Sequence, residues 1–214
     1  MTSGALGQAV AVAVGAGYLV GSVPVALLVG RAHHVDPRAA GDRNPGYWNA
    51  KALLGPRAAL PVFVGDTLKG VVAGLVALAV AGVTGLPPHS TMVVTWCAVA
   101  AAMVGHAWPV FAGFRGGRSI LTFVGGMAVL SPRTFVAGVA IVVVVSLAAR
   151  SFSWGARGGM ASVPFVELVV DGRYRTAAVG VLLSIIGLRF AQAALAERRR
   201  SGPATAAPDA PTPR

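Results

Sequence analysis

The sequence predicts an all-α polytopic membrane protein with about seven transmembrane helices, on two observations: its composition and the spacing of its apolar runs. Of the 214 residues, 55% are hydrophobic and only 12% are charged, and the mean hydropathy is +0.71. This composition is that of an integral membrane protein, because a soluble domain this apolar would be hard to keep in solution. The formal net charge of +11 falls in short loops between apolar runs, which favours topology-setting charges over a nucleic-acid surface.

Seven apolar runs follow one another, at about residues 5–30, 58–82, 90–111, 119–131, 134–149, 159–170 and 176–196. Crossing a bilayer takes about 20 helical residues, so the fourth and sixth runs are short. Pro24 predicts a kink near the end of the first run, and Pro164 interrupts the sixth, which favours a tilted or partly re-entrant segment. We interpret residues 1–196 as one membrane domain and residues 197–214, rich in Arg, Pro and Ala, as a disordered cytoplasmic tail.

The basic residues are distributed unequally between the two sets of loops. Loops 31–57, 112–118 and 150–158, together with the tail, carry thirteen Lys or Arg, whereas the alternate loops carry three. Since cytoplasmic loops are enriched in Lys and Arg, we expect the N-terminus outside and these basic loops in the cytoplasm. The functional face is therefore expected there. The abundance of Ala, Val, Gly and Arg is typical of a GC-rich bacterial genome, so we expect the membrane to be a bacterial plasma membrane.

One cytoplasmic loop has the composition of an anion site. Arg115 and Arg118 flank Gly116 and Gly117, so two guanidinium forks and two accessible backbone N–H groups can converge on a phosphate. If residues 119–131 form a helix, its positive end points at the same place. The alternative is a basic turn that only orients two helices.

Ionisable side chains also lie within the apolar runs. Asp66 and Lys69 are three residues apart, so both lie on one helical face and can pair. A structural ion pair and an active-site role are equally compatible with this spacing. His106 stands near the end of the third run, where it can cap, donate or act as a base. The single cysteine, Cys97, excludes an intrachain disulfide and a cysteine-based metal site.

Several short segments, in chain order, match the motifs of one known family. They are residues 21–24 (GSVP, against GSIP), 66–70 (DTLKG, against DLLKG), 105–109 with 114–118 (GHAWP and FRGGR, against GHxFP and FKGGK) and 153–155 (SWG, against the start of SLGS). Over most of residues 17–165 the chain resembles the bacterial acyl-phosphate:glycerol-3-phosphate acyltransferases, the PlsY family of small seven-helix membrane enzymes. Departures stand at Asp42, Ala52 and Ala156, where the family has Ser, Arg and Ser, and the family's third-motif His and Asn are missing near residue 190.

The resemblance implies transfer of a fatty acyl group from acyl phosphate to glycerol 3-phosphate, giving lysophosphatidate, with no metal or other cofactor. The substrate-binding residues it implies are Lys69, Asp66, Ser153, Arg115, Gly116, Gly117 and Arg118. The implied catalytic residues are His106, Asn44 and Asn49, the two asparagines orienting the acceptor hydroxyl. Expected partners are the two substrates and membrane lipids, not nucleic acid, and we expect a monomer. The alternative is a catalytically silent relative that binds a lipid phosphate or a protein partner.

Overall fold

The computed structural model describes residues 3–200, and this part of the chain is helical with no strand. Nine α-helices are present within it, with a short 3-10 turn at Val110–Ala112 between α5 and α6. They are α1 Ser3–Gly21, α2 Val25–Ala32, α3 Tyr47–Leu54, α4 Pro56–Val83, α5 Pro88–Ala107, α6 Ile120–Leu130, α7 Pro132–Ala148, α8 Phe152–Val170 and α9 Arg173–Arg200. The all-α prediction is confirmed.

Proline and glycine place many of the helix ends. Proline opens α4, α5 and α7, where a missing N–H costs nothing. The predicted kink at Pro24 is a complete break, since α1 ends at Gly21 and α2 begins at Val25. The interruption expected at Pro164 is wrong, because α8 runs through this proline. The basic loop 150–158 is therefore mostly the first two turns of α8.

The predicted seven passes are compatible with these helices. Within residues 3–200, four segments are long and apolar enough to cross a membrane: Gly4–Ala32, Pro56–Val83, Pro88–Ala112 and Arg173–Arg200. Helices α6 and α7 are shorter, and the 11 residues of α6 extend only about 16 Å. Helix α9 continues through Arg200, past the predicted boundary at 196, and residues 201–214 of the predicted tail lie outside the described part.

Helix α5 occupies the centre of the bundle. Its Trp96, Val99 and Met103 join buried side chains of α6 and α9 in the main core cluster, which also contains Phe123, Met127, Leu130, Val179, Leu182 and Ile186. Large exposed apolar side chains lie on the outer helices, among them Val136, Leu147 and Phe165. An outward-facing apolar surface is the arrangement that lipid stabilises.

Glycine allows α4 and α6 to pack backbone to backbone beside the buried charges. A Cβ at Gly70 would collide with the Thr122 carbonyl oxygen, and one at Gly125 with the Thr67 carbonyl oxygen. The Thr122 hydroxyl then donates to the Asp66 carbonyl oxygen at 3.1 Å. Small residues commonly permit such close approach in membrane helices, and here they position the helical turn that carries Asp66.

Candidate active site

Three ionisable side chains meet in the interior, at the end of α5. Lys69 Nζ donates to Asp66 Oδ1 at 2.8 Å and lies 3.1 Å from His106 Nδ1. His106 Nδ1 is itself 3.5 Å from Asp66 Oδ1. All three side chains are more than 90% buried. The predicted pairing of Asp66 with Lys69 is confirmed, and His106 joins it.

The contact with Lys69 favours one tautomer of a neutral His106. A lysine ammonium can only donate, so the Nδ1 atom facing it must accept. A neutral imidazole that accepts at Nδ1 carries its proton on Nε2. Nε2 has no hydrogen-bond partner among the described residues, and it lies beside Gly117, where an added Cβ would collide with it. His106 therefore presents a hydrogen-bond donor next to the basic loop.

The two glycines of the loop serve close packing against α5. Gly117 N–H donates to the His106 carbonyl oxygen at 3.0 Å, and Gly116 N–H donates to the Ala107 carbonyl oxygen at 3.2 Å. We predicted that these N–H groups donate to a phosphate. In the structure both already donate to carbonyl oxygens at the end of α5 and are not free to do so. Side chains at either position would collide with His106, so close contact with the end of α5 explains the Gly-Gly pair.

The two arginines of the loop differ in their surroundings. Arg115 is exposed; its backbone N–H donates to the Ala112 carbonyl oxygen at 3.4 Å, and its side chain makes no hydrogen bond or ion pair with the described residues. Arg118 Nη1 pairs with Asp42 Oδ2 at 3.2 Å, its guanidinium stacks 4.6 Å from the Phe190 ring centroid, and its enclosed Nε lacks a partner within residues 3–200. Asp42 therefore neutralises Arg118 in part, and Arg115 retains its full capacity for an anion.

The two predicted catalytic asparagines have different positions. Asn49 is buried and donates to the carbonyl oxygens of Pro37 and Ala40 at 2.8 and 3.0 Å, while its Oδ1 accepts from Asp42 N–H at 3.1 Å. Its hydrogen-bonding capacity is used within the loop, so it holds loop 37–42 and does not face a substrate. The Asn44 side chain lines the open cavity described below.

Ser153 is not brought together with the other predicted residues. It lies exposed in the first turn of α8 and lines neither of the two cavities that contain them. The α8 start does lie near α3, since the Trp48 and Phe152 ring centroids are 5.6 Å apart. The expectation of a phosphate contact from Ser153 has no support in this arrangement.

Arg189 of α9 is a site residue that the sequence reasoning missed. Its Nε donates to the Gly117 carbonyl oxygen at 3.0 Å, and its Nη2 donates to the Gly116 carbonyl oxygen at 2.6 Å. An arginine within the last apolar run looks like a residue that extends to the membrane interface. The available signal was its charge within an apolar helix, which usually marks the protein interior or a wet cavity.

Two adjoining cavities share Pro45, Arg115 and Gly116 in their walls. The inner one is small, contains the buried triad, and is otherwise walled mainly by apolar residues of segment 23–27. The outer one has a volume of about 460 Å³ and is strongly basic. Its charged residues are Arg38, Arg43, Arg115, Arg118, Arg189, Arg200, Asp42 and Glu197.

The outer cavity has the electrostatics of a phosphate site. Six arginines face two carboxylates there, and this excess of positive charge attracts dianions. Arg38 is partly neutralised from outside, since Asp36 accepts from it at 2.9 Å, and this hydrogen bond lowers the pKa of the Asp36 carboxyl. Arg115 remains the exposed, unpaired cation nearest the junction with the inner cavity.

Comparison with known proteins shows one family over most of the chain. The family model described as glycerol-3-phosphate acyltransferase matches residues 11–197. Proteins named glycerol-3-phosphate acyltransferase from Rubrobacter xylanophilus and Desulforudis audaxviator are 40% identical over 153 residues and 35% identical over 181 residues. These alignments cover 72% and 84% of this chain, and 73% and 87% of the relatives.

Solved structures are similar over nearly the whole chain. One is PlsY (YgiH), an integral membrane glycerol 3-phosphate acyltransferase, in its glycerol 3-phosphate form, with a TM-score of 0.72 and 25% identity. The match covers 90% of this chain and 92% of that one. Its lysophosphatidic acid form, at 24% identity and a TM-score of 0.68, supports the fold. With the family model matching from residue 11 to residue 197, this chain belongs to the glycerol-3-phosphate acyltransferase family.

Proposed function

We propose that this protein transfers a fatty acyl group from an acyl phosphate to the 1-hydroxyl of glycerol 3-phosphate, giving lysophosphatidate for phospholipid synthesis. Acyl transfer to glycerol 3-phosphate is the reaction of the family to which the chain belongs. The acyl phosphate donor is our inference from the resemblance of the motifs and from the electrostatics of the site. A silent relative is not favoured by any of the family matches.

The observation that carries the proposal is the pair of adjoining cavities. Both proposed substrates are phosphate monoesters or mixed anhydrides, and the outer cavity combines about 460 Å³ of space with six arginines. The inner cavity has a volume of about 20 Å³ beside apolar residues of segment 23–27 and the buried triad, which is room for one small group at the reacting centre. The shared wall at Arg115 and Gly116 is where the acyl carbon and the acceptor hydroxyl would meet.

The reaction requires little from the protein beyond the positioning of its two substrates. The 1-hydroxyl oxygen attacks the acyl carbon, the bond from that carbon to the phosphate oxygen breaks, and inorganic phosphate leaves with the hydroxyl proton. Arg115 and Arg118 would hold phosphate oxygens, and Asn44 would orient the glycerol. Fixed charges and a close approach of the reactants lower the barrier of such a transfer without a covalent intermediate.

His106 serves as a donor in this scheme, together with Lys69. Because Nδ1 accepts from Lys69, the imidazole has no free basic nitrogen with which to remove the hydroxyl proton. Its Nε2–H can instead stabilise negative charge that develops on the acyl oxygen or the departing phosphate. Asp66 orients Lys69 and compensates its charge in the buried triad.

We place the active face in the cytoplasm and the N-terminus outside. The support is the excess of thirteen basic residues over three in the alternate loops, with the cavity residues drawn from the basic loops. The protein would act as a monomer in the bacterial plasma membrane, since the two cavities are formed within one chain.

The test is an acyltransfer assay on purified protein with labelled glycerol 3-phosphate and acyl phosphates of several chain lengths. We expect turnover, its loss in Arg115→Ala with Arg118→Ala, and only a modest slowing in His106→Ala. Arg133→Ala, which removes an exposed arginine at the other end of the bundle, is the matched control and should keep full activity. The reverse ranking would assign the proton transfer to His106, and no turnover with any donor would favour the silent relative.

A further inference from the structure

We propose that Arg189 is a positioning residue, which holds the Arg115–Arg118 loop in its phosphate-binding form from the opposite side of the loop. This inference rests on the proposed function for its kinetic consequences. Its structural part, a clamp between α9 and the loop, stands on the geometry alone. Arg189 lies in the region of the family's third motif, and the sequence alone gave it no role there.

Each nitrogen of the Arg189 guanidinium donates a hydrogen bond, and its face lies against an aromatic ring. Nε and Nη2 each donate to a loop carbonyl oxygen, at Gly117 and Gly116, and Nη1 donates to Gln192 Oε1 at 2.8 Å. The face of the group lies 5.3 Å from the Trp108 ring centroid. Three of its five N–H donors have these partners, and two of the three go to the loop itself, so we assign Arg189 a role that acts through the loop.

The Arg115–Arg118 loop makes hydrogen bonds on both of its sides. Its N–H groups at Gly116 and Gly117 bond to carbonyl oxygens at the end of α5, and its carbonyl oxygens at the same two residues bond to Arg189. The residues that flank the loop, Phe114 and Ser119, have positive φ of 59° and 61°. Such conformations in residues other than glycine persist only where surrounding contacts maintain them.

Loss of the clamp should therefore misplace the phosphate-binding side chains. Arg115 and Arg118 stand at the two ends of the pinned segment, and Arg118 stacks on Phe190, the neighbour of Arg189. A lysine at position 189 would keep the charge but not the planar fork that reaches two carbonyl oxygens at once. The fork, and not the charge, is the feature that positions the loop.

The experiment compares Arg189→Gln and Arg189→Lys with Arg175→Gln in the purified, membrane-reconstituted protein. Arg175 lies on the same helix and also donates to a backbone carbonyl oxygen, that of Leu130, at the other end of the bundle. It pairs in addition with Asp171 and the buried Glu167, so Arg175→Gln is a control for loosening of the bundle away from the loop. Activities are normalised to the folded fraction. A second readout is the rate of tryptic cleavage after Arg115 and Arg118, mapped by mass spectrometry.

We expect both Arg189 variants to raise KM for glycerol 3-phosphate at least about tenfold, as for loss of one charged hydrogen bond, with a smaller change in kcat. Both should also speed cleavage within the loop, whereas Arg175→Gln should change neither. In an Arg118→Ala background, Arg189→Gln should have a smaller effect, since only Arg115 is left for it to position.

Three results would overturn the clamp. Restoration of KM by lysine would show that charge alone matters, an equal effect of Arg175→Gln would show a general loosening, and unchanged cleavage would show that the loop does not depend on Arg189. If the unmutated protein does not turn over acyl phosphate, the proposed donor fails, yet the cleavage rates still decide whether the clamp exists.

Discussion

Removal of one charge from the buried triad of Asp66, Lys69 and His106 should show how strongly the charges of Asp66 and Lys69 stabilise each other. The Asp66 and Lys69 side chains are 2% and 6% exposed, with 2.8 Å between Oδ1 and Nζ. Loss of one partner leaves the other charge in a medium that cannot solvate it, which costs about 3–5 kcal/mol. We expect Lys69→Met and Asp66→Leu each to lower the free energy of unfolding by an amount in this range.

His106 makes the two single variants unequal. In Lys69→Met, the imidazole remains 3.5 Å from Asp66 Oδ1 and can turn its proton to Nδ1 to donate to the carboxylate. In Asp66→Leu, the ammonium of Lys69 keeps only a neutral imidazole beside it. Asp66→Leu should therefore be the more destabilising change.

The double variant, Asp66→Leu with Lys69→Met, measures the coupling energy between the two side chains. With both charges replaced by apolar groups, no uncompensated charge remains, so the loss should be smaller than in Asp66→Leu alone. A cycle built from these values gives a coupling energy of about 3 kcal/mol or more. Reversible unfolding of the four proteins in mixed micelles measures it, and additive losses would refute the reasoning.

Other expectations follow from the same geometry. Gly117→Ala should strongly lower activity while leaving the helical bundle intact by circular dichroism, because its Cβ collides with His106 Nε2 and has to displace the Arg115–Arg118 loop; normal turnover would refute the close approach. Asn49→Ala removes three hydrogen bonds and should destabilise the protein by about 2–3 kcal/mol, measured as a fall in Tm; an unchanged Tm would contradict its loop-holding role. In a background without the native cysteine, a membrane-impermeant thiol reagent applied to intact cells should label Thr2→Cys and spare Ala40→Cys, and the opposite pattern would invert the proposed topology.

The helical passes could be read from the sequence because they depend on local properties. Long apolar runs and the kink predicted at Pro24 each depend on the residue's own neighbours. The pairing of Asp66 with Lys69 was also predictable, since three residues along a helix bring two side chains to one face. Pro164 was misread because a proline inside a membrane helix can be accommodated by its surroundings.

The roles of the polar residues depended on contacts between distant segments. The N–H groups of Gly116 and Gly117 seemed free for an anion, and Asn49 for a substrate, until backbone carbonyl oxygens elsewhere in the chain proved to be their partners. Arg189 seemed to face the interface until α9 brought it beneath the loop. Composition and periodicity determined a helical membrane protein with a basic face and a buried ion pair. Only the tertiary structure decided which donors and acceptors remain for a substrate. Hydrogen bonds form between groups that are close in space, whatever their separation along the chain.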